Sequence, residues 1–456
     1  MKMNLQARYE AALAFTREKH KNQYRIGGEE YITHPVGVAD IVRSQGYGID
    51  YQLAALFHDM LEDTDATEAE ILYYGNKEIL EAVKVLTKTK GYVMEEYIDG
   101  IKKNHIAYVV KAADRLHNLR SALVTDNDFK RKYAVETINW YLDFSEWIPY
   151  ALAELVMSME PVWKNRMSFV WCLKVNSKVM MEGALRERLK NEYYLDFNEK
   201  VDLSTLVYKE PGREALKSLW KEYAKIAEKH HYPFLAMTPT RRLNQERTEG
   251  FYYPEGIIID NVAHLKRVRE ECYCEMYVGA HIGSKGDTNG DVMTVAAYQE
   301  FHEWEIEQFV RAGVDFIYVS MISNVNEAVG IAKEIAKTKV PYIMSFEINE
   351  DGCLFDGTPL SEAMQRVENA SKYKPALYMA NGVKIETVIQ SLEMPYNQVD
   401  LVRSRFLGIQ ASTELKVNPL EFAESMKKLS EIQPIKLFGG CQGTDNRHME
   451  AVAESI

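Results

Sequence analysis

The spacing of hydrophobic and polar residues divides the chain into two halves, which meet near residues 158–177. In the first half, apolar residues recur at the three- and four-residue spacing of amphipathic helices, and strand character is scarce. Clusters of Gly, Asn and Asp separate these segments and predict turns. Tyr51–Leu61 and Phe129–Met157 are each predicted to form a single helix. Residues 1–157 are therefore predicted to form an all-α domain.

After residue 177 the pattern changes to short apolar runs, separated by longer stretches with helical spacing. Several runs are apolar throughout, which is typical of parallel strands buried on both faces. Eight alternations fit a closed α/β barrel of the (β/α)8, TIM-like type over residues 178–456, and an open doubly wound sheet is the rival. Residues 158–177 form the predicted junction, which we expect to pack against a domain. The predicted strands are Lys178–Met181, Pro233–Met237, Glu275–Ala280, Asp315–Ser320, Pro341–Phe346, Ala376–Ala380, Phe406–Ala411 and Lys436–Phe438.

Composition narrows the classes of partner. The chain has 456 residues and a formal net charge of −12, which argues against nucleic acid or an anionic membrane as the main partner. No window offers the roughly 18 uncharged apolar residues of a membrane span, and the N-terminal sequence lacks the apolar core of a signal peptide. Five cysteines, an odd number, favour a reducing compartment. We expect a cytoplasmic protein that acts on small molecules.

Histidine and acidic residues in the helical half have the spacing of metal ligands. His58 and Glu62 lie one helical turn apart, as do Asp59 and Asp63, so each pair shares a face. A His-Asp pair at the end of an apolar helix is costly to bury unless it is hydrogen-bonded or bound to a metal. A single histidine such as His34, or a single His-Asp dipeptide, is more often structural. Together with Asp114-Arg115 further along, the set favours Mn²⁺, Fe²⁺ or Zn²⁺ over Mg²⁺ or Ca²⁺.

These motifs give residues 18–150 a specific resemblance to a known family. YxxHP at Tyr31–Pro35, HDxxEDT at His58–Thr64 and ADRLHN at Ala113–Asn118 resemble the HD-superfamily hydrolase domain of the Rel/SpoT stringent-response enzymes. The resemblance implies a Mn²⁺ site and a reaction that releases the 3′-pyrophosphate of guanosine tetraphosphate or a related purine nucleotide. It implies that Glu62 and Asp63 act on the attacking water, Arg25 lies against the purine and Asn118 contacts the nucleotide. The implied metal ligands are His34, His58, Asp59 and Asp114.

Two further features bear on this resemblance. Ile26 and Gly27 follow Arg25 where the family usually has Lys and a small polar residue. No segment resembles the family's synthetase domain, so the sequence favours hydrolysis alone. Several lysines could hold the pyrophosphates, although a solvated helix face is their ordinary role: Lys88, Lys90, Lys102, Lys103 and Lys111.

The second half resembles the homocysteine S-methyltransferases, more weakly, over residues 178–456. The landmarks are Met181–Leu185 on the first strand, Val278–Gly283 after the third, Ala312–Phe316 before the fourth and Phe438–Thr444 after the eighth. They lie at or near the carboxyl ends of strands, where the active sites of such barrels are built. Glu182 on the first strand is one candidate site residue.

The metal ligands that this resemblance implies are incomplete. Members of the family hold a catalytic zinc with three cysteines, one from an Asn-Cys pair and two from Gly-Gly-Cys-Cys. Here the pairs are Asn381-Gly382 and Cys441-Gln442, so one cysteine remains. Ser320 stands where an acidic residue usually ends the fourth strand. His281 and His448 are the nearest substitutes as ligands, and zinc in the barrel is doubtful.

Three hypotheses follow. The first is a metal-dependent HD phosphohydrolase fused to a methyltransferase-like barrel that lacks the usual zinc chemistry. The second is an S-methyltransferase acting on homocysteine or another thiol, for which Asn381 and Cys441 are the candidate site residues. In the third, the barrel is a non-catalytic sensor that binds a small metabolite.

Overall fold

The computed structural model describes residues 5–251, 254–286, 292–414 and 417–456. The chain divides into two compact units between Met167 and Ser168. The first is all-helical and the second is a closed parallel barrel surrounded by helices. The predicted fold class, an all-α domain followed by a (β/α)8 barrel, is confirmed, and the open sheet is excluded. No helix in the described ranges has the length and apolar character needed to cross a membrane.

The helices of the first unit are α1 (Leu5–Lys19), α2 (Thr33–Ser44), α3 (Ile49–Phe57), α4 (Met60–Asp63), α5 (Glu68–Tyr74), α6 (Lys77–Leu86), α7 (Met94–Lys103), α8 (His105–Ser121), α9 (Asn127–Trp140) and α10 (Trp147–Met157). Helix α8 begins where the Asn104 side chain accepts a hydrogen bond from the Ala107 N–H. It packs against α2, α3, α6, α7 and α10. Since α2, α3 and α8 meet at the centre of this unit, polar residues on their facing sides are brought together.

Two predicted helices are each broken into two. The helix predicted over Tyr51–Leu61 ends at Phe57, and α4 begins at Met60, because the backbone of Asp59 (φ −101°, ψ −1°) leaves the helical geometry. This bridge conformation is common at functional residues. The helix predicted over Phe129–Met157 is interrupted between Trp140 and Trp147. Pro149 lacks an N–H and is tolerated only in the first turn of a helix, which places the start of α10.

A further helix, α11 (Pro161–Val175), occupies most of the predicted junction and crosses the division between the units. Its last turns belong to the barrel unit, where Phe169 and Cys172 are buried. The Phe169 ring stacks on Phe316 with 4.4 Å between centroids. Phe316 is the first residue of its strand, so this end of α11 packs against the amino-terminal end of the barrel.

The strands of the barrel are β1 (Val179–Met181), β2 (Phe234–Met237), β3 (Met276–Gly283), β4 (Phe316–Ile322), β5 (Tyr342–Phe346), β6 (Leu377–Asn381), β7 (Phe406–Ala411) and β8 (Leu437–Gly440). Neighbours pair in parallel in sequence order, and β1 pairs with β8 to close the barrel. Each strand coincides with one of the eight predicted runs. β3 extends further than predicted, because His281 and Gly283 weaken the apolar signal at its end, and β4 continues beyond Ser320 to Ile322.

The helices that surround the barrel are α12 (Arg186–Asn191), α13 (Glu210–Lys229), α14 (Pro254–Glu270), α15 (Val295–Ala312), α16 (Val325–Thr338), α17 (Leu360–Ala370), α18 (Ile385–Glu393), α19 (Asp400–Arg405), α20 (Pro419–Ile432) and α21 (Asn446–Ser455). Their apolar faces and the outward side chains of the strands form one large core. The carboxyl ends of the strands face the opposite end of the barrel from Phe169 and carry the landmarks singled out in the sequence.

Candidate functional site

Four side chains of the helical unit converge on one point. His34 lies on α2, His58 and Asp59 follow α3, and Asp114 lies on α8. His58 Nε2 is 3.2 Å from His34 Nε2, 3.0 Å from Asp59 Oδ2 and 3.7 Å from Asp114 Oδ1. His34 Nε2 is 3.2 Å from Asp114 Oδ1 and 3.5 Å from Asp59 Oδ2. Helices far apart in sequence thus bring together all four of the predicted ligands.

These spacings fit a shared metal ion. Donor atoms bound at about 2.1 Å from one ion lie roughly 3.0–3.4 Å from their neighbours, close to the separations found here. The donor atoms of His34, His58 and Asp59 all lie within 4.8 Å of one another. Two imidazoles and two carboxylates form a set that suits Mn²⁺, Fe²⁺ or Zn²⁺. The residues present therefore fit a divalent metal.

Neighbouring groups hold these four side chains in place. His58 Nδ1 lies 2.8 Å from the Ala55 carbonyl oxygen, to which it donates, and its Nε2 faces the cluster. Asp114 accepts hydrogen bonds from Lys111 Nζ at 2.9 Å and Asn118 Nδ2 at 2.6 Å. Asp59 accepts one from the Tyr31 hydroxyl at 2.7 Å. Such outer contacts fix the orientation of ligands and tune their basicity.

His117 is a neighbour of the cluster that sequence reasoning did not assign. Its Nδ1 lies 3.0 Å from Nδ1 of His34, which leaves His34 Nε2 directed at the cluster. Burial and the nearby His34 lower the pKa of His117 to about 4, so its ring is neutral and accepts this hydrogen bond. Gly37 allows the close approach, because a Cβ there would lie 2.3 Å from His117 Nε2. The sequence feature that could have pointed to His117 is its position three residues after Asp114.

Opposite charges dominate the electrostatics of the cluster. Burial opposes a charge on His58, but the Asp59 and Asp114 carboxylates together outweigh this and raise the pKa of His58 to about 10. Burial likewise disfavours ionised carboxylates, yet His58 holds the pKa of Asp59 well below its ordinary value. The Lys111 ammonium does the same for the pKa of Asp114. The site therefore retains two carboxylates and strongly attracts positive charge.

The two predicted catalytic acids have different surroundings. Glu62 lines the cavity beside the cluster, and its Oε2 accepts a hydrogen bond from the Lys88 N–H at 2.9 Å. Asp63 contacts the Tyr31 hydroxyl at 3.2 Å. Burial and the charge on Asp59 raise the pKa of Asp63. Glu62 thus lines the cavity, while Asp63 and Asp59 both contact the hydroxyl of Tyr31.

A cavity of about 840 Å³ opens from the cluster. Arg25 Nη2 donates to Asn118 Oδ1 at 3.0 Å, so the two predicted nucleotide-binding residues are joined at its wall. Lys88 and Lys111 line the cavity as well, whereas Lys90 and Lys103 are exposed and Lys102 pairs with Asp143. Further lining residues, to which the sequence analysis assigned no role, are Arg115, Arg120, Lys132, Tyr133 and Glu136. The cavity combines cationic and aromatic side chains, as a nucleotide site requires.

The barrel has a separate cavity of about 410 Å³ at the carboxyl ends of its strands. Glu182, Asn381 and Cys441, the candidate residues of this half, all line it, together with His281. Glu182 is buried and both of its oxygens lie 3.3 Å from the Met237 N–H. Burial raises the pKa of Glu182 well above its ordinary value and so favours the protonated carboxyl.

The predicted zinc donors of the barrel do not form a complete set. Asn381 Oδ1 already accepts hydrogen bonds from the Met321 N–H and the Ser345 hydroxyl, both at 2.8 Å. Gly382 has no side chain and a left-handed backbone (φ +73°). Burial raises the pKa of Cys441, which opposes the thiolate that zinc prefers. In the described ranges no group of three His, Cys, Asp or Glu donors includes Cys441. These residues do not fit a three-sulfur zinc site.

The two histidines considered as substitute ligands lie in different places. His281 lines the cavity, but its Nε2 lies 2.8 Å from Oγ of Ser320. His448 caps α21, where Nδ1 lies 2.8 Å from Asp445 Oδ1 and Nε2 lies 3.1 Å from the Val417 carbonyl oxygen. His448 was therefore wrongly considered near the site, because its position on the first turn of α21 commits its ring to the cap.

Comparison with known proteins identifies both halves. A model of the HD domain matches residues 12–146, and the model of the homocysteine S-methyltransferase family matches residues 179–456. The protein is thus a two-part chain with a helical HD domain and a methyltransferase-type barrel. Because the second match covers more than half of its length, the chain belongs to the homocysteine S-methyltransferase family. Both resemblances predicted from the motifs are confirmed.

Individual relatives match one half each. Guanosine-3′,5′-bis(diphosphate) 3′-pyrophosphohydrolase of Haemophilus influenzae is 35% identical over 136 residues, which are 27% of this chain and 20% of that protein. The bifunctional (p)ppGpp synthase/hydrolase SpoT of Escherichia coli K12 is 35% identical over 145 residues, 29% of this chain and 21% of that protein. The chain thus spans about a fifth of the length of these curated relatives.

A solved structure resembles the barrel. The metallated form of the homocysteine methyltransferase MmuM from Escherichia coli has a TM-score of 0.51 and 17% identity, and the match covers 62% of this chain and 97% of that one. At this identity the likeness shows the fold alone.

Proposed function

We propose that the helical domain, residues 1–157, is a metal-dependent phosphohydrolase that releases pyrophosphate from a guanosine 3′,5′-bis(diphosphate)-type alarmone or a related purine nucleotide. The convergence of His34, His58, Asp59 and Asp114 at metal-ligand distances carries the proposal. Two relatives match this chain at 35% identity, and their names describe hydrolases of guanosine-3′,5′-bis(diphosphate) or (p)ppGpp. These names support the proposed nucleotide substrate. We place this activity in the cytoplasm.

Mn²⁺ is the proposed ion, with Fe²⁺ or Zn²⁺ as alternatives, and the four converging residues would hold it. When bound, it would lower the pKa of a water molecule and neutralise charge on the phosphoryl group. Lys111 offsets the negative charge of Asp114 at 2.9 Å and keeps that carboxylate directed at the cluster. His58 and His34 each use Nδ1 for a fixed hydrogen bond, which leaves Nε2 as the donor atom.

Glu62 is the proposed general base. It lines the cavity, and the Lys88 N–H fixes one of its oxygens at 2.9 Å. Its other oxygen can take a proton from water as the water oxygen bonds to phosphorus. The bond between that phosphorus and the 3′ oxygen of the nucleotide then breaks, the 3′ oxygen takes up a proton from solvent to become a hydroxyl, and pyrophosphate leaves. Asp63 acts less directly in this proposal, because it shares the Tyr31 hydroxyl with Asp59.

The remaining residues of the cavity would hold the nucleotide. Arg25 is proposed to lie against the purine, since a guanidinium plane stacks well on an aromatic ring. Asn118 connects Arg25 to Asp114, so binding of the base and the geometry of the metal site are linked through one amide. Lys88 and Lys132 line the same cavity and carry charge suited to phosphate groups.

The experiment that tests this proposal follows the release of pyrophosphate from guanosine tetraphosphate. Prolonged chelation should abolish hydrolysis, and Mn²⁺ should restore it in the same sample. Release of inorganic phosphate in place of pyrophosphate would contradict the assigned bond. Activity that persists after complete removal of metal would contradict the metal assignment.

Methyl transfer to homocysteine or another thiol is the second candidate, and family membership over residues 179–456 favours it. The incomplete set of zinc donors around Cys441 weighs against methyl transfer that depends on zinc. A direct assay of methyl transfer to homocysteine, with and without added Zn²⁺, separates the two candidates.

A further inference from the structure

The barrel cavity contains an arginine, Arg241, whose guanidinium makes no direct contact with an acidic group in the described ranges. Arg241 follows β2 and lines the cavity with Glu182, His281 and Cys441. Across the described ranges of the chain, its guanidinium has neither a hydrogen bond nor an ion pair with a protein group. A partly buried guanidinium offers five donors, and leaving them unpaired is unfavourable unless water or a ligand takes them.

The position of Arg241 is built into the scaffold. The preceding turn is fixed by a hydrogen bond between the Thr238 and Thr240 hydroxyls at 2.7 Å. The Thr240 hydroxyl also donates to the His281 carbonyl oxygen at 3.0 Å, which joins this turn to β3. Gly283 lies against Arg241, because a Cβ there would be 2.5 Å from the Arg241 carbonyl oxygen and 2.8 Å from its Cγ. The guanidinium is therefore presented by a turn that is already ordered.

Arg241 is half-buried and shares the cavity with two exposed arginines, Arg242 and Arg186, of which Arg186 pairs with Asp202 at 3.0 Å. Burial and the charge of Arg241 lower the pKa of His281 to about 3, so this ring is neutral. Glu182 is buried, and burial raises its pKa. Glu347 lines the same cavity, and burial raises its pKa while Arg241 opposes that rise. No ion pair joins Arg241 to Glu347 in the part of the chain that the structure describes.

We propose that the barrel cavity binds a small organic anion, through a carboxylate or phosphate group held by Arg241, without a metal ion. Charge-assisted hydrogen bonds from a guanidinium to either group are among the strongest polar contacts in proteins. Glu347 lines the same cavity and would accept a hydrogen bond from a hydroxyl group of the ligand. The volume of about 410 Å³ suits a molecule of metabolite size.

The proposed anion site is independent of the proposed hydrolase, because the residues that form it belong to the barrel unit and not to the helical unit. It also departs from the chemistry of the barrel's family, in which a thiol binds to zinc. The ligand here is recognised by its charge, and Cys441 takes no covalent part.

The test measures binding of three probes to the full-length protein at constant ionic strength by calorimetry. The probes are 4-hydroxybutyrate, its neutral amide and inorganic phosphate. We expect saturable binding of the carboxylate, and binding of the amide that is at least about tenfold weaker. Phosphate binding that depends on Arg241 would identify phosphate as the preferred group, and preference for 4-hydroxybutyrate would identify carboxylate.

Arg241→Gln should weaken binding of the preferred anion about ten- to hundredfold. Because the Arg241 side chain has no protein partner in the described ranges, this variant should keep the melting temperature of the parent. Arg403→Gln, which removes the same charge from an exposed site on α19, is the matched control and should bind like the parent. Equal affinity of Arg241→Gln and the parent for the preferred anion, or no saturable binding of either anion, would overturn the proposal, as would equal binding of amide and carboxylate where phosphate does not bind.

Discussion

The hydroxyl of Tyr31 donates a hydrogen bond of 2.7 Å to Oδ2 of Asp59, and it lies 3.2 Å from Oδ2 of Asp63. The Tyr31 ring stacks on His20 with 4.7 Å between centroids, which fixes the direction of the hydroxyl. One phenol therefore positions both a proposed metal ligand and a proposed catalytic acid.

Removal of this hydroxyl should weaken metal binding while leaving the fold intact. We expect Tyr31→Phe to bind Mn²⁺ about ten- to hundredfold more weakly, because outer contacts of this kind orient the ligand. Competition with a chelator of known affinity measures the change. Tyr73→Phe, at an exposed position on α5, is the control. Unchanged affinity in Tyr31→Phe would show that Asp59 needs no such support.

Asp59→Ala should remove metal and nucleotide hydrolysis together. The substitution deletes one of the four converging donors and leaves His58 without the carboxylate at 3.0 Å. Metal content by mass spectrometry and pyrophosphate release are measured on the same preparation, with Asp400→Ala on the exposed face of α19 as the control. Full metal content with full activity in Asp59→Ala would refute the assigned site.

Glu62→Gln separates proton transfer from metal binding. The amide keeps an oxygen for the Lys88 N–H but cannot take a proton from water. We expect turnover to fall by about 10²–10⁴-fold with metal content nearly unchanged. Glu81→Gln on the exposed side of α6 controls for loss of one negative charge. If Glu62→Gln loses its metal, Glu62 is itself a ligand and another group must serve as the base.

Much of this architecture follows from local sequence. Eight apolar runs predict the eight strands because parallel strands buried on both faces need continuous apolar residues. The HD ligands could be predicted because each lies in a short motif at helical spacing. The break at Asp59 could not, since it depends on contacts with α2 and α8 that a periodic pattern does not encode. Pro149 did mark the start of α10, but the apolar spacing on either side concealed the interruption.

Sequence reasoning also missed residues whose role depends on long-range contacts. Arg241 belongs to none of the family landmarks, and its place in the barrel cavity is visible only once β2 and β3 are paired. His117 stands inside a quoted motif, yet its contact with His34 requires Gly37 on another helix. In both cases the missing information was which elements pack together.

The stability of the barrel should depend on pH through His302. This buried ring lies between the carboxylates of Glu305 and Glu327, and its Nε2 is 3.0 Å from Glu327 Oε1. Burial opposes protonation, but the hydrogen bonds to these carboxylates raise the pKa of His302 to about 9. Since the unfolded value is about 6.5, the stabilisation is complete below about pH 6.5 and is lost as pH rises through 9.

We therefore expect the difference in melting temperature between the parent and His302→Gln to shrink as pH rises from 6 to 10. Taking this difference at each pH removes the contribution of the other groups that titrate in this range. A constant difference across the range would show that the ring is neutral in the folded barrel.

The last prediction concerns zinc in the barrel. Cys441 is the one cysteine among the residues lining the cavity, and Asn381 Oδ1 is already occupied by two donors. We expect the full-length protein and Cys441→Ser to hold the same amount of zinc after exposure to Zn²⁺, because a single thiol cannot supply a three-ligand site. Any zinc that is bound should instead disappear in Asp59→Ala, since the helical cluster offers a suitable donor set. Zinc that is lost in Cys441→Ser and kept in Asp59→Ala would place a metal in the barrel and make zinc-dependent methyl transfer the better account of this half.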